Sequence, residues 1–173
     1  MAVSNLLING GFERGSLDGW IGNNAYITAS YSHSGQFSAN ISPGSTPSSL
    51  VQTVPITDSG QNYQLLVSLA KYGFFQSPAL TIRVSYLNSD NIEVGTGGST
   101  IIIDGSLPNV LLESWKEIYL VTDVAPAAAT QVQVEIAKLA GRFYTSNVLV
   151  DDVALLAFTT DTTPPGPTGP TGP

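Results

Sequence analysis

The chain contains no cysteine and a single histidine. The first absence excludes a disulfide framework, a redox motif, a thiolate metal site and a cysteine nucleophile. The second excludes a histidine-clustered transition-metal centre. Basic residues are also scarce, 6 Lys and Arg against 13 Asp and Glu, giving a formal net charge of −7. A chain this acidic lacks the positive footprint that phosphate-backbone binding requires, so nucleic acid is not an expected partner. Long apolar runs are missing: the longest, Val148 to Phe158, is broken by Asp151 and Asp152. It falls short of the roughly 18 residues of a membrane span, so no membrane insertion is expected. Met1 to Asn5 carry no basic leader and Leu6-Leu7-Ile8 is too short for a signal core. A protein working outside a cell would then be expected to arrive by another route, or to have lost its leader. Only 11% of residues are charged while 42% are hydrophobic. That balance belongs to a folded domain, and 173 residues suit one domain.

What is present is alternation. Leu80, Ile82, Val84 and Tyr86 share one face of an extended segment while Thr81, Arg83 and Ser85 share the other; Val132, Val134 and Ile136 alternate likewise with Gln131, Gln133 and Glu135. Other runs rich in β-branched or aromatic residues are 26–28, 37–41, 50–54, 63–69, 101–103, 118–121 and 148–156, separated by Gly, Pro, Asn, Asp and Ser turns. Gly95 to Gly98 lacks the lysine and helix of a phosphate loop and is read as a hairpin between Glu93-Val94 and Ile101. No window has a helical period. The expected fold is all-β: a two-sheet antiparallel β-sandwich of jelly-roll topology over residues 1–158. Residues 159–165 read as a Thr/Pro linker. From Gly166 to Pro173 glycine leads every triplet, the pattern of a collagen-like tail in which three polyproline-II chains wind around glycines at the axis. Two full triplets cannot hold a triple helix, so the repeat is expected to continue. A flexible proline-rich tail is the plainer reading.

Four pieces carry a family resemblance: Asn5 to Glu13 with Asp18-Gly19-Trp20; Ser32 to Ala39; Trp115 to Tyr119 running into Val124-Ala125-Pro126; and Val148 to Leu155. In this order they resemble the galactose-binding-like jelly rolls, notably carbohydrate-binding modules of families 4, 16 and 22. A carboxylate from each chain end with loop carbonyls would suit Ca²⁺, which takes six to eight oxygens. The resembling modules commonly hold a structural calcium in this way. The expected ligands are Glu13, Asp152 and the carbonyls of Ser34 and Gly35. The competing reading is that Glu13 caps a turn and the aspartates are hydrogen-bonded or solvated at a strand end. As strand neighbours, Asp151 and Asp152 are expected to face opposite sides. Trp20 and Trp115 stand where the resembling modules pack their core, and both are read as core. Better candidates for a ligand or subunit interface are the loop aromatics Tyr72, Phe74 and Phe75 and the later Arg142, Phe143 and Tyr144, which would form an apolar patch with cationic rims if the loops meet.

No catalytic set is expected: His33 stands alone in a Ser-Gly-rich loop, and there is no nucleophile elbow. The first expectation is therefore a non-catalytic N-terminal head or anchor of a homotrimeric collagen-like protein on a bacterial cell or spore surface, resembling exosporium glycoproteins. One alternative is a carbohydrate-binding module presented on such a stalk. Another is a phage or virion fibre head.

Overall fold

The computed structural model describes residues 2–159; the linker beyond Thr159 and the collagen-like triplets lie outside the described residues. Eleven strands form two antiparallel sheets, which is the expected jelly-roll sandwich. The first sheet runs β3(Ala25–Thr28), β4(Ser38–Ile41), β11(Asn147–Thr159), β6(Tyr63–Tyr72), β9(Lys116–Val121), with β1(Ala2–Asn5) also on β11. The second runs β2(Ile21–Asn23), β5(Ser48–Pro55), β10(Gln131–Lys138), β7(Leu80–Leu87), β8(Glu93–Ile102). Period-two patterning decides which faces meet. Ile82, Val84, Tyr86, Val132, Val134 and Ile136 from one sheet pack on Leu65, Val67, Leu69, Val148, Val150 and Leu155 from the other, all essentially buried. Trp20 joins this core against Phe12, ring centroids 5.7 Å apart, with its indole N–H donating to Asn9 O. Lys138 ends β10 on the inward side, and its Nζ donates to the carbonyls of Ser42 and Gly44. Burial pulls its pKa below the ordinary lysine value.

Two expectations are corrected here. Residues 93–102 form one strand, not a hairpin, because β7 continues opposite them through register shifts: Val84 faces Gly98 and Ser85 faces Thr96. Gly95 and Gly97 let the strand lie close to Pro126, Val84 and Tyr86, where a Cβ would be tightly crowded. The alternation of Asp151 and Asp152 also fails. A β-bulge interrupts the β11–β6 register between Asp151 and Ala154, and Asp152 takes a left-handed φ of 46°. Both carboxylates consequently turn toward the same loop, residues 29–37.

Candidate functional site

The outer face of the six-stranded sheet carries a cleft of about 430 Å³. Beneath it Ala70 of β6 and Leu149 of β11, paired across the sheet, form a small buried cluster with Val110, against which Tyr31 and Trp115 pack. One wall is the loop after β3, bringing Tyr31, Ser32 and His33; the other is the segment leading into β9, bringing Val110, Glu113, Trp115 and Glu117. That second wall is fixed locally. Lys71 N–H donates to Pro108 O, Asn109 caps the short turn Val110–Leu112, and Glu113 ends it with a left-handed φ of 53°. Tyr31 stacks at a tilt on Tyr72, centroids 4.9 Å apart, and its carbonyl accepts from the buried Ser38 hydroxyl. Trp115 packs edge-on to the His33 ring at 5.4 Å. It is only half-buried and lines the cleft. Its expected core position is thus corrected: the strand it introduces points it to the outer face, as Glu117 and Tyr119 follow in phase.

His33 is not solitary. Its Nδ1 meets Asp152 Oδ2 at 2.7 Å and its Nε2 meets Glu117 Oε1 at 3.1 Å. The hydrogen bond to Asp152 raises its pKa above 6.5, Glu117 adds to this, and partial burial opposes it. Ser68 Oγ donates to Glu117 Oε2 at 2.7 Å. Beneath them Asp151 is fully buried and accepts from the backbone N–H groups of His33, Ser34 and Asp152. Burial pushes its pKa up to about 6, against the downward pull of those amides. On the same face, Asn40 donates to the Tyr26 hydroxyl, and its Oδ1 is the one buried side-chain polar atom without a partner among the described residues.

Glu13, Ser34, Gly35 and Asp152 come together behind this loop. Glu13 accepts from the amides of Gln36 and Phe37, so it does cap a turn, while Ser34 Oγ donates to Asp152 Oδ1. Gly35, at φ 64°, is what lets the Glu13 carboxylate lie against the backbone. Asp152 Oδ1 and Glu13 Cγ both lie within 4 Å of the point where a Cβ on Gly11 would stand, so the two acidic side chains flank one spot. The donors there are oxygens, the class Ca²⁺ selects, but both Glu13 oxygens accept from backbone amides, both Asp152 oxygens are engaged by Ser34 and His33, and among the described residues no group of three acidic or histidine side chains converges as a metal site.

The loop candidates are split. Phe75 and Tyr144 pair at 5.5 Å, Arg142 donates to Gln76 Oε1 and lies 3.5 Å from Asp104, and Phe74 and Phe143 are exposed beside them, Phe74 by 99%. Tyr72 stacks instead on Tyr31, which lines the cleft. Tyr31, Glu113 and Glu117 were not singled out as site residues in sequence, and Trp115 was read as core. Only the outward phase of Trp115, Glu117 and Tyr119 in β9 signals any of them.

No protein-family model and no curated protein sequence matches the chain. Solved structures of the same fold do. TmCBM61, solved in complex with β-1,4-galactotriose, superposes with a TM-score of 0.65 at 17% identity, covering 88% of this chain and 97% of its own. A family 16 carbohydrate-binding module gives 0.64 at 18%, covering 87% and 99%. The enzymatically active domain of bacteriophage CBA120 tailspike protein 4 gives 0.68 at 13%; the match covers 87% of this chain but spans only 21% of that one. The shared property is the jelly-roll fold.

Proposed function

We propose that the chain is a non-catalytic carbohydrate-binding module whose site is the cleft between the 29–37 loop and the segment leading into β9. The observation that carries this reading is the cleft's composition. It has aromatic walls from Tyr31 and Trp115, apolar Val110 between them, and a rim of Glu113, Glu117, His33 and Ser32. Aromatic faces suit the C–H surface of a pyranose ring, and carboxylate and hydroxyl groups at the rim suit its hydroxyls. The neighbours of like fold solved as sugar-binding modules support it as well.

The test is calorimetry against β-1,4-galacto- and xylo-oligosaccharides, followed by a broad glycan array. Binding in the micromolar to millimolar range is expected, and Trp115→Ala and Tyr31→Ala should each weaken it about tenfold, roughly 1.4 kcal/mol, measured at a temperature where circular dichroism shows each variant folded. A blank array overturns the reading.

The same proposal includes a structural Ca²⁺ held by Glu13 and Asp152 with carbonyls of Ser34 and Gly35. When bound, the ion would neutralise two neighbouring carboxylates and tie the N-terminal loop to β11. A ligand that binds only the folded chain stabilises it by mass action, about 2.7 kcal/mol at a hundredfold excess over its Kd. The melting temperature should therefore rise with added calcium and fall with a chelator; an unchanged melt rules the ion out. The setting, a collagen-like stalk at a bacterial cell or spore surface, rests on the triplets of residues 166–173.

A further inference from the structure

The charge of the cleft has one sign. Among the described residues no lysine or arginine lines it, and its ionisable groups are Glu113, Glu117 and His33. His33 does not offset the carboxylates, because it lies between Glu117 and a further one, Asp152. With His33 protonated, Glu113, Glu117 and Asp152 still leave two negative charges at the cleft, and the buried Asp151 beneath can only add to them. The nearby lysines are turned elsewhere. Lys71 Nζ donates to the carbonyls of Gly73 and Phe75, and Lys116 falls in the inward phase of β9 with Ile118 and Leu120 while Glu117 points outward.

The hydrogen-bonding capacity of the rim is equally one-sided. Ser32 donates its hydroxyl proton to Gly35 O, and both ring nitrogens of His33 face carboxylates, so the remaining side-chain donors are the indole N–H of Trp115 and the hydroxyl of Tyr31. Glu117 is held by Ser68 and His33. The Glu113 carboxylate has no partner among the described residues, and its backbone is fixed at a left-handed φ of 53° where the Val110–Leu112 turn ends. Carboxylates only accept, whereas a sugar hydroxyl both donates and accepts and an ammonium donates three times and accepts nothing. The group that satisfies this rim is an ammonium. The walls agree, since a cation is drawn to an aromatic face, to tryptophan most strongly, and more so where water is partly excluded. A cleft of about 430 Å³ has room for a ligand of sugar size. Resting on the reading of the cleft as a sugar site, we propose that it selects amino sugars, oligosaccharides whose free amine is protonated, over neutral and acidic ones, and that Glu113 is the carboxylate that meets the ammonium.

Calorimetry of the full chain in mildly acidic, low-salt buffer compares glucosamine oligomers with N-acetylglucosamine oligomers of equal length, which keep the rings and lose the charge, and with uronate oligomers. The glucosamine oligomers are expected to bind roughly tenfold more tightly than the N-acetylated ones, the uronates most weakly, and the advantage should shrink as salt is added. Glu113→Gln, at an exposed site, should remove most of that advantage, read as the ratio of the two affinities on one variant. Asp90→Asn, in the turn between β7 and β8 of the other sheet, should leave the ratio unchanged. Circular dichroism reports folding in each case. Equal binding of the amine and N-acetyl forms, an advantage that survives Glu113→Gln, or polylysine binding as tightly as the amino sugars overturns the inference. If neutral oligosaccharides then still bind and Trp115→Ala weakens them, the cleft remains a sugar site; if no sugar of any class binds, both readings fall.

Discussion

Gly35 shows how much of the site hangs on one backbone position. Its φ of 64° lets the amides of Gln36 and Phe37 converge on Glu13, and a Cβ there would collide with that carboxylate. Gly35→Ala is therefore expected to cost about 1–3 kcal/mol, measured by chemical denaturation in the absence of calcium so that metal affinity does not contribute. The bulge at Asp152 acts at the same scale. One residue at φ 46° turns a side chain that strand alternation would send away, and both aspartates then grip the His33-Ser34 loop. This is why the cleft was barely legible in sequence. His33 looks isolated because Asp152 and Glu117 are 119 and 84 residues away along the chain, and only the register of β6 with β9 and β11 brings them together. The acidic residues were visible as candidates; the bulge that aims them was not.

At the level of elements, the two sheets are joined at one end by a buried polar junction. Tyr86 of β7 bonds to Thr122 Oγ1 at 2.8 Å and donates to Asp123 O at 2.6 Å, and the same Thr122 hydroxyl accepts from Tyr63 N–H of β6. Burial raises the Tyr86 pKa above 10.0, with Asp123 adding and the Thr122 hydrogen bond opposing. Because the folded value is raised, the contribution is complete below pH 10 and is lost as pH climbs through the folded pKa, where the unfolded chain is already ionised. The unfolding free energy should thus fall above pH 10. Tyr86→Phe should lose about 1–3 kcal/mol at neutral pH through the unpaired Thr122 and Asp123 groups, and it should flatten the alkaline decline; an unaltered alkaline limb would count against this account. Period-two patterning made most of these strands readable, because each has one buried face, as in β7 and β10. It missed β1 and β2, whose residues are exposed throughout and which pair with β11 and β5. It misread β8 because glycines that usually end a strand here allow close packing under Tyr86.

For the whole molecule, the outer face of the six-stranded sheet carries its cleft in the half away from Thr159, while the half nearer Thr159 exposes Tyr119 and Val121. Tyr119 follows Trp115 and Glu117 in the same outward phase but does not line the cleft. Tyr119→Lys therefore tests how far along the sheet the proposed sugar site extends. It is expected to leave calorimetric affinity for a soluble oligosaccharide unchanged, whereas Trp115→Ala should lower it. If Tyr119→Lys also weakens oligosaccharide binding, the sugar groove continues along the sheet past the cleft, and the restriction of the site to one half of the face does not hold.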